Sequence, residues 1–154
     1  MKRAVLLDSH PLSEVTHPKG DPRVKQWLHS LQESGIVIRV PEIVDYELRR
    51  ELIRGKKQKS IERLDKLSQF LIPLTNETMR QAAELWAELR NQGKPTASKD
   101  SLDIDVILAS QAILQLPNFD EVTIITTNVK HISCFVKPRL IVVDWAQTLN
   151  GIVS

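Results

Sequence analysis

The chain has a single cysteine, Cys134, among 154 residues. One thiol excludes an intramolecular disulfide framework and a cysteine-rich zinc site. No His or Asp stands beside Cys134 in sequence, so a buried or incidental thiol is the simpler reading than a nucleophile. Aromatic residues make up 5% of the chain, too few to argue for base stacking along a single-stranded nucleic acid. Long apolar runs are missing as well. The N-terminus enters a strand within a few residues, its apolar run is too short for a signal peptide, and no stretch approaches a membrane span. A reducing, cytoplasmic setting is expected. Internal repeats, low-complexity tracts and dividing linkers are also missing.

What is present suits one soluble domain over residues 1–154. The hydrophobic share is 42%, the charged share 26% and the formal net charge +2, so disorder is not the default and a real core can form. Whole-chain charge is too weak to name a partner.

Ala4 to Leu7 form a continuous apolar run, as in a strand buried on both faces of a parallel sheet. It ends in Asp8. Beyond it, residues 11–15 read as a short helix closed by Thr16-His17-Pro18-Lys19-Gly20. Asp21-Pro22 starts a helix running to about Ser34 and closed by Gly35. Ile36 to Val40 is a second strand, stopped by Pro41. A helix follows over 43–54, then a lysine-rich turn and an amphipathic helix carrying Ile61, Leu64 and Leu67. Residues 70–74 read as a third strand, and Thr75 caps a helix over about 77–91. Residues 93–101 are polar and predict a mobile loop. A largely apolar helix follows over 103–116, then strands over 122–126 and 140–143 and a short helical turn at Trp145. This alternation predicts a three-layer α/β/α domain with a mainly parallel five-stranded sheet.

Several acids fall at strand ends and helix starts. Asp8 sits at the carboxyl end of the first strand, where open α/β sheets gather ligands; it also suits a helix cap, with Ser9 helping. Glu47 projects between Ile43 and Val44, on the side of its helix that faces the protein, where a carboxylate is costly unless paired or bound to a cation. An ion pair with Arg50 is the plainer alternative. Asp105 opens the most apolar helix, with Asp103 just upstream as a candidate N-cap, and both suit the positive end of a helix dipole. Asn128 lies past the fourth strand, where its carbonyl oxygen could complete a cluster or serve ordinary turn chemistry. Three carboxylates and an amide so close need a cation, and hard oxygen ligands select magnesium or manganese. Such a cage suits phosphodiester hydrolysis.

Four stretches in order resemble the motifs of PIN domains, particularly VapC-like toxins. They are Val5-Leu6-Leu7-Asp8-Ser9-His10, Pro41-Glu42-Ile43-Val44-Asp45-Tyr46-Glu47-Leu48-Arg49, Asp105-Val106-Ile107-Leu108-Ala109-Ser110, and Thr126-Thr127-Asn128-Val129-Lys130-His131-Ile132. Each is weak alone; the ordered set spans almost the whole chain. The resemblance implies a PIN-like fold and a metal-dependent endoribonuclease, commonly the toxin of a toxin–antitoxin pair and commonly a homodimer. It implies Asp8, Glu47 and Asp105 as catalytic metal ligands, with Asn128 completing the cluster and Ser9 and Thr126 in support. Asp103 would act as a ligand, through water, or behind the others. Two departures stand out: His10 replaces the usual Asn, and Asn128 removes a negative charge, weakening a second metal site.

Residues 49–66 carry eight cations against Glu51, Glu62 and Asp65. Directly after Glu47, this basic flank would hold an RNA backbone, with Arg49, Arg50, Arg54, Lys56 and Lys57 as the candidate contacts. A solvated helix pair explains the same charges. The competing functional readings are a PIN fold that binds RNA or protein without cutting, and a phospho-acceptor receiver domain. The second wants an acid after the third strand, where Leu74-Thr75 stand.

Overall fold

The computed structural model describes residues 1–93 and 99–152. Five strands form one sheet in the order β3-β2-β1-β4-β5: β1 Arg3–Leu7, β2 Val37–Pro41, β3 Leu71–Ile72, β4 Glu121–Thr126 and β5 Leu140–Asp144. Every pairing is parallel. The helices are α1 Ser9–Thr16, α2 Pro22–Glu33, α3 Glu42–Arg54, α4 Gln58–Asp65, α5 Asn76–Asn91, α6 Lys99–Ile113, α7 Val129–Ile132 and α8 Trp145–Asn150. Short 3-10 turns fill some connections.

The apolar run expected at the centre is there. Ala4 to Leu7 are buried, and β1 lies between β2 and β4, where Leu6 and Ile124 are fully enclosed. Both faces of a parallel sheet are covered by its crossovers, so its middle strands read as continuous apolar stretches rather than alternating ones. Trp27 of α2 meets Trp145 of α8 edge-on at 5.1 Å, and the Trp145 indole N–H donates to Glu14 of α1.

Strand order places the functional region. From β1 the chain steps outward to β2 and β3, then returns across the sheet to β4 and continues to β5 on the other side. Right-handed crossovers put these two sets of connections on opposite faces. The loops leaving β1 and β4 therefore diverge, and the crevice between their carboxyl ends is the switch point at which α/β sheets bind ligands.

Two expected boundaries shift. β3 keeps two residues instead of the five predicted over 70–74. Phe70 lies in a 3-10 turn over Ser68–Phe70. Pro73 has no N–H to pair, and the Leu74 N–H donates to Glu42 Oε1 at 2.7 Å. The second shift is at α6, which begins at Lys99 rather than 103. Lys99 to Ser101 thus belong to a helix, while the rest of the expected mobile loop, residues 94–98, lies outside the described residues. A helix start read from the apolar stretch misses a preceding polar turn.

Candidate metal centre

Asp8 is 6% exposed and is the N-cap of α1, directly after β1. One carboxylate oxygen accepts the Ser9 N–H at 2.8 Å. The other accepts the Thr126 hydroxyl at 2.6 Å, across the β1–β4 crevice. Thr126 Oγ1 in turn accepts the Asn128 N–H at 2.9 Å. That backbone donor fills the hydroxyl's lone-pair side, so the Thr126 proton points at Asp8. Capping and site building, alternatives in the sequence, are one arrangement here: each carboxylate oxygen keeps a further lone pair for a ligand.

Glu47 lies in the second turn of α3, between buried Val44 and Leu48, and is itself half-buried. Burial raises its pKa above the usual glutamate value. The nearby Ser9 hydroxyl and the Arg50 charge lower it, while Asp8 and Glu51 raise it further. Arg50 therefore does attract Glu47, as the ion-pair reading expected, but desolvation outweighs it. The Arg50 guanidinium itself stacks over the Tyr46 ring at 5.2 Å.

Asp105 is 8% exposed. Desolvation first, then the charges of Asp8 and Glu47, push its pKa up to about 7. Three carboxylates from three separate elements thus feel one another at the switch point. Because α6 starts at Lys99, Asp105 sits in its second turn and not at its opening, beyond the first turn in which the helix dipole favours an anion. The expected dipole support is absent, which agrees with the upward shift. For the same reason Asp103 is no N-cap. It is exposed, and at about 100° per residue it lies about 200° around α6 from Asp105, so the helix does not bring it to the other acids. Of the alanines further along α6, Ala112 joins the main core, while Ala109 packs with Ala82, Leu85 and Phe135 in a second cluster.

Asn128 precedes α7 and is exposed; its side chain makes no capping bond. Its backbone, through Thr126, is what reaches Asp8. His10 lies on the exposed side of α1, its Nε2 3.9 Å from Glu14 Oε1, one turn away along the helix surface. Of the basic candidates, Arg49 is held by Asp45 at 2.9 Å and by Asp65 at 2.7 Å, and Arg54 by Glu51 at 2.7 Å. Lys56 and Lys57 are exposed at the α3–α4 turn.

Gln111 is a residue that sequence reading missed. Fully buried in α6, it accepts the Ile43 N–H at 3.2 Å and donates to the Ile72 carbonyl at 2.7 Å. It thereby ties the start of α3, which carries Glu47, to the helix that carries Asp105. The signal was a polar residue within the most apolar helix.

The donor set, carboxylate oxygens, fits a hard divalent cation. Among the described residues no three acidic, His or Cys side chains are drawn together as direct ligands. Magnesium does not require that: it keeps several waters and is commonly held by one or two carboxylates plus substrate phosphate. Mutual repulsion among like charges favours such spreading.

No known family profile matches the chain, and no curated protein matches it. Solved structures do. The chain superimposes on one from the structure of VapBC2 from Rickettsia felis bound to a DNA fragment from their promoter. That match has a TM-score of 0.70 at 22% identity, over 92% of this chain and 98% of the other. A chain of FitAcB from Neisseria gonorrhoeae matches with a TM-score of 0.63 at 21% identity, over 90% and 96%. A chain of VapBC-1 from nontypeable Haemophilus influenzae matches at 0.59 and 18% identity, over 94% and 98%. At these identities the likeness is one of fold, and the fold is the PIN-like one expected from the four motifs.

Proposed function

We propose that this chain is a metal-dependent endoribonuclease and the toxin component of a toxin–antitoxin pair. The observation that carries the reading is the placement of Asp8, Glu47 and Asp105 around the switch point, near enough that the charges of Asp8 and Glu47 add to burial in raising Asp105 to about 7. Like charges placed this way favour a bound cation. Solved structures of VapBC and FitAB share the fold along nearly the whole chain, which supports the toxin assignment and an antitoxin partner. A homodimer and a cytoplasmic location belong to the same proposal. No helix among the described residues is long and apolar enough to cross a membrane.

In this reading Asp8, Glu47 and Asp105 hold magnesium or manganese, and Asn128 contributes through its backbone N–H, which fixes the Thr126 hydroxyl on Asp8. Bound there, the ion supplies an activated water and stabilises the charge that develops on the leaving oxygen. The chain's own residues set the geometry. Ser9 N–H and the Thr126 hydroxyl fix the Asp8 carboxylate, and Gln111 holds the helices bearing Glu47 and Asp105 in register. Arg50, near Glu47, and Lys56 and Lys57 at the α3–α4 turn supply positive charge for the RNA backbone, and Arg49 and Arg54 join them only by leaving their present carboxylate partners.

Cleavage of end-labelled RNA in magnesium or manganese, against chelator, tests the proposal. The unaltered chain cuts and Asp8→Asn does not, with both folded by circular dichroism. Equal cleavage by Asp8→Asn refutes it. Neutral Asn128 favours one other outcome, an RNA- or protein-binding module without cleavage; calorimetry then shows no magnesium binding with or without RNA.

A further inference from the structure

A groove of about 740 Å³ lies between α2 and the 3-10 turn over Ser68–Phe70. Its apolar lining comes from Val15, Leu28, Ile36, Ile38, Leu67 and Phe70. All six pack against the main core yet stay only partly buried, so they keep apolar surface open to the groove. The floor reaches Leu7, one residue before Asp8.

One wall is an open strand edge. β3 pairs only with Val40 and Pro41, so among the described residues no strand lies beside Val37–Arg39 on that side. Successive residues of a parallel strand turn their main-chain groups to opposite neighbours. The Asp8 N–H donates to the Ile125 carbonyl of β4, so Val5, three residues back, turns to β2. Val5 stands opposite Ile38, and in a parallel ladder it bonds to the residues flanking that partner, Val37 and Arg39. The N–H and carbonyl of Ile38 are thereby left on the open edge. Arg39 agrees with this: its Nη1 donates to the Ile38 carbonyl at 2.9 Å, where a neighbouring strand would otherwise donate. The Ile38 N–H has no strand partner.

The rim is positive. Lys25, His29 and Arg39 line the groove, and no acidic residue does. His29 lies 3.0 Å from Glu33, whereas Lys25 and Arg39 are in no ion pair among the described residues. Cations around an apolar trough are complementary to apolar residues flanked by carboxylates. Open main-chain groups select an extended segment over a helix, whose own main-chain groups are already bonded.

We propose that this groove docks an extended segment of a partner protein, apolar at its centre and acidic at its flanks, as an added strand on the β2 edge. The segment's main chain takes the Ile38 N–H and carbonyl, its apolar side chains fill the groove, and its carboxylates meet Lys25 and Arg39. Arg39 serves both states. It covers the edge carbonyl in the free chain, as charged residues on edge strands do, and turns to a carboxylate when the strand arrives. The surface is separate from the acids, so the proposal stands or falls independently of the nuclease reading.

A fluorescein-labelled, acetylated peptide with about three valines between paired glutamates tests it by anisotropy on the full chain. The same peptide with lysines for glutamates is the control. The acidic peptide binds and the lysine peptide binds about tenfold more weakly or not at all. Lys25→Glu with Arg39→Glu, folded by circular dichroism, reverses that preference. At saturation with the acidic peptide, hydrogen exchange of the Ile38 amide, followed by NMR, slows by about tenfold. No binding at about 1 mM peptide, equal binding of the two peptides, or an Ile38 amide that stays unprotected overturns the proposal. Protection of Ile38 by single-stranded RNA in place of the peptide overturns it too, and assigns the groove to nucleic acid.

Discussion

Asp8 accepts from Ser9 N–H and from the Thr126 hydroxyl, and the second of these bonds crosses from one strand to its neighbour. Thr126→Val keeps the shape of the side chain and removes the donor. It is expected to lower metal affinity or cleavage by about 10- to 100-fold, as the loss of partners that orient metal ligands does. Calorimetry with manganese and a cleavage assay measure it, and a change below twofold rejects the role. Asp105 carries the opposite kind of cost. Its carboxylate is buried beside two like charges, so Asp105→Asn stabilises the metal-free protein at pH 8 by on the order of 1–3 kcal/mol, while abolishing activity. Urea melts at pH 8 report the gain. A destabilised Asp105→Asn would mean that the carboxylate is satisfied by groups other than a cation.

At the scale of elements, Gln111 is the join. It links α6 to the first turn of α3 and to the end of β3. Gln111→Leu fills similar space but leaves the Ile43 N–H and the Ile72 carbonyl buried without their partner, a cost of about 2–4 kcal/mol. Chemical denaturation measures it. Because the same bonds hold Glu47 and Asp105 in register, RNA cleavage at saturating metal falls as well. The shortening of β3 belongs to this scale: Pro73 and the Glu42–Leu74 bond end the ladder, and the Gln111 amide takes the Ile72 carbonyl.

For the whole molecule, the raised acids set a pH dependence. Glu47 and Asp105 are shifted upward, so the folded state binds more protons than the unfolded chain between about pH 4 and 7. The stabilising contribution is fully present below the unfolded values and is lost as pH rises through the folded ones. Metal-free protein should therefore have a higher melting temperature near pH 5 than near pH 8, provided other groups titrate little in that window. Magnesium should narrow that difference by binding the ionised form: at 100 times its dissociation constant it adds about 2.7 kcal/mol. Thermal melts at both pH values, with magnesium and with chelator, test the two statements together. A melting temperature insensitive to magnesium at pH 8 counts against the metal centre.

Much of this was legible in the residues. Ala4 to Leu7 ending in Asp8, the Asp21-Pro22 helix start, the Thr75 cap and the alternation of strands and helices are local patterns, carried by side-chain period and capping chemistry. From them followed the parallel α/β sheet and the nomination of Asp8, Glu47, Asp105 and Asn128. What only the tertiary structure decided were relations between distant residues. It set Thr126 against Asp8, 118 positions away, committed Arg49 to Asp45 and Asp65, and moved Asp105 into a second helical turn and turned Asp103 away. Periodicity tells a chain which face is buried, whereas desolvation and charge coupling depend on which other faces meet it there.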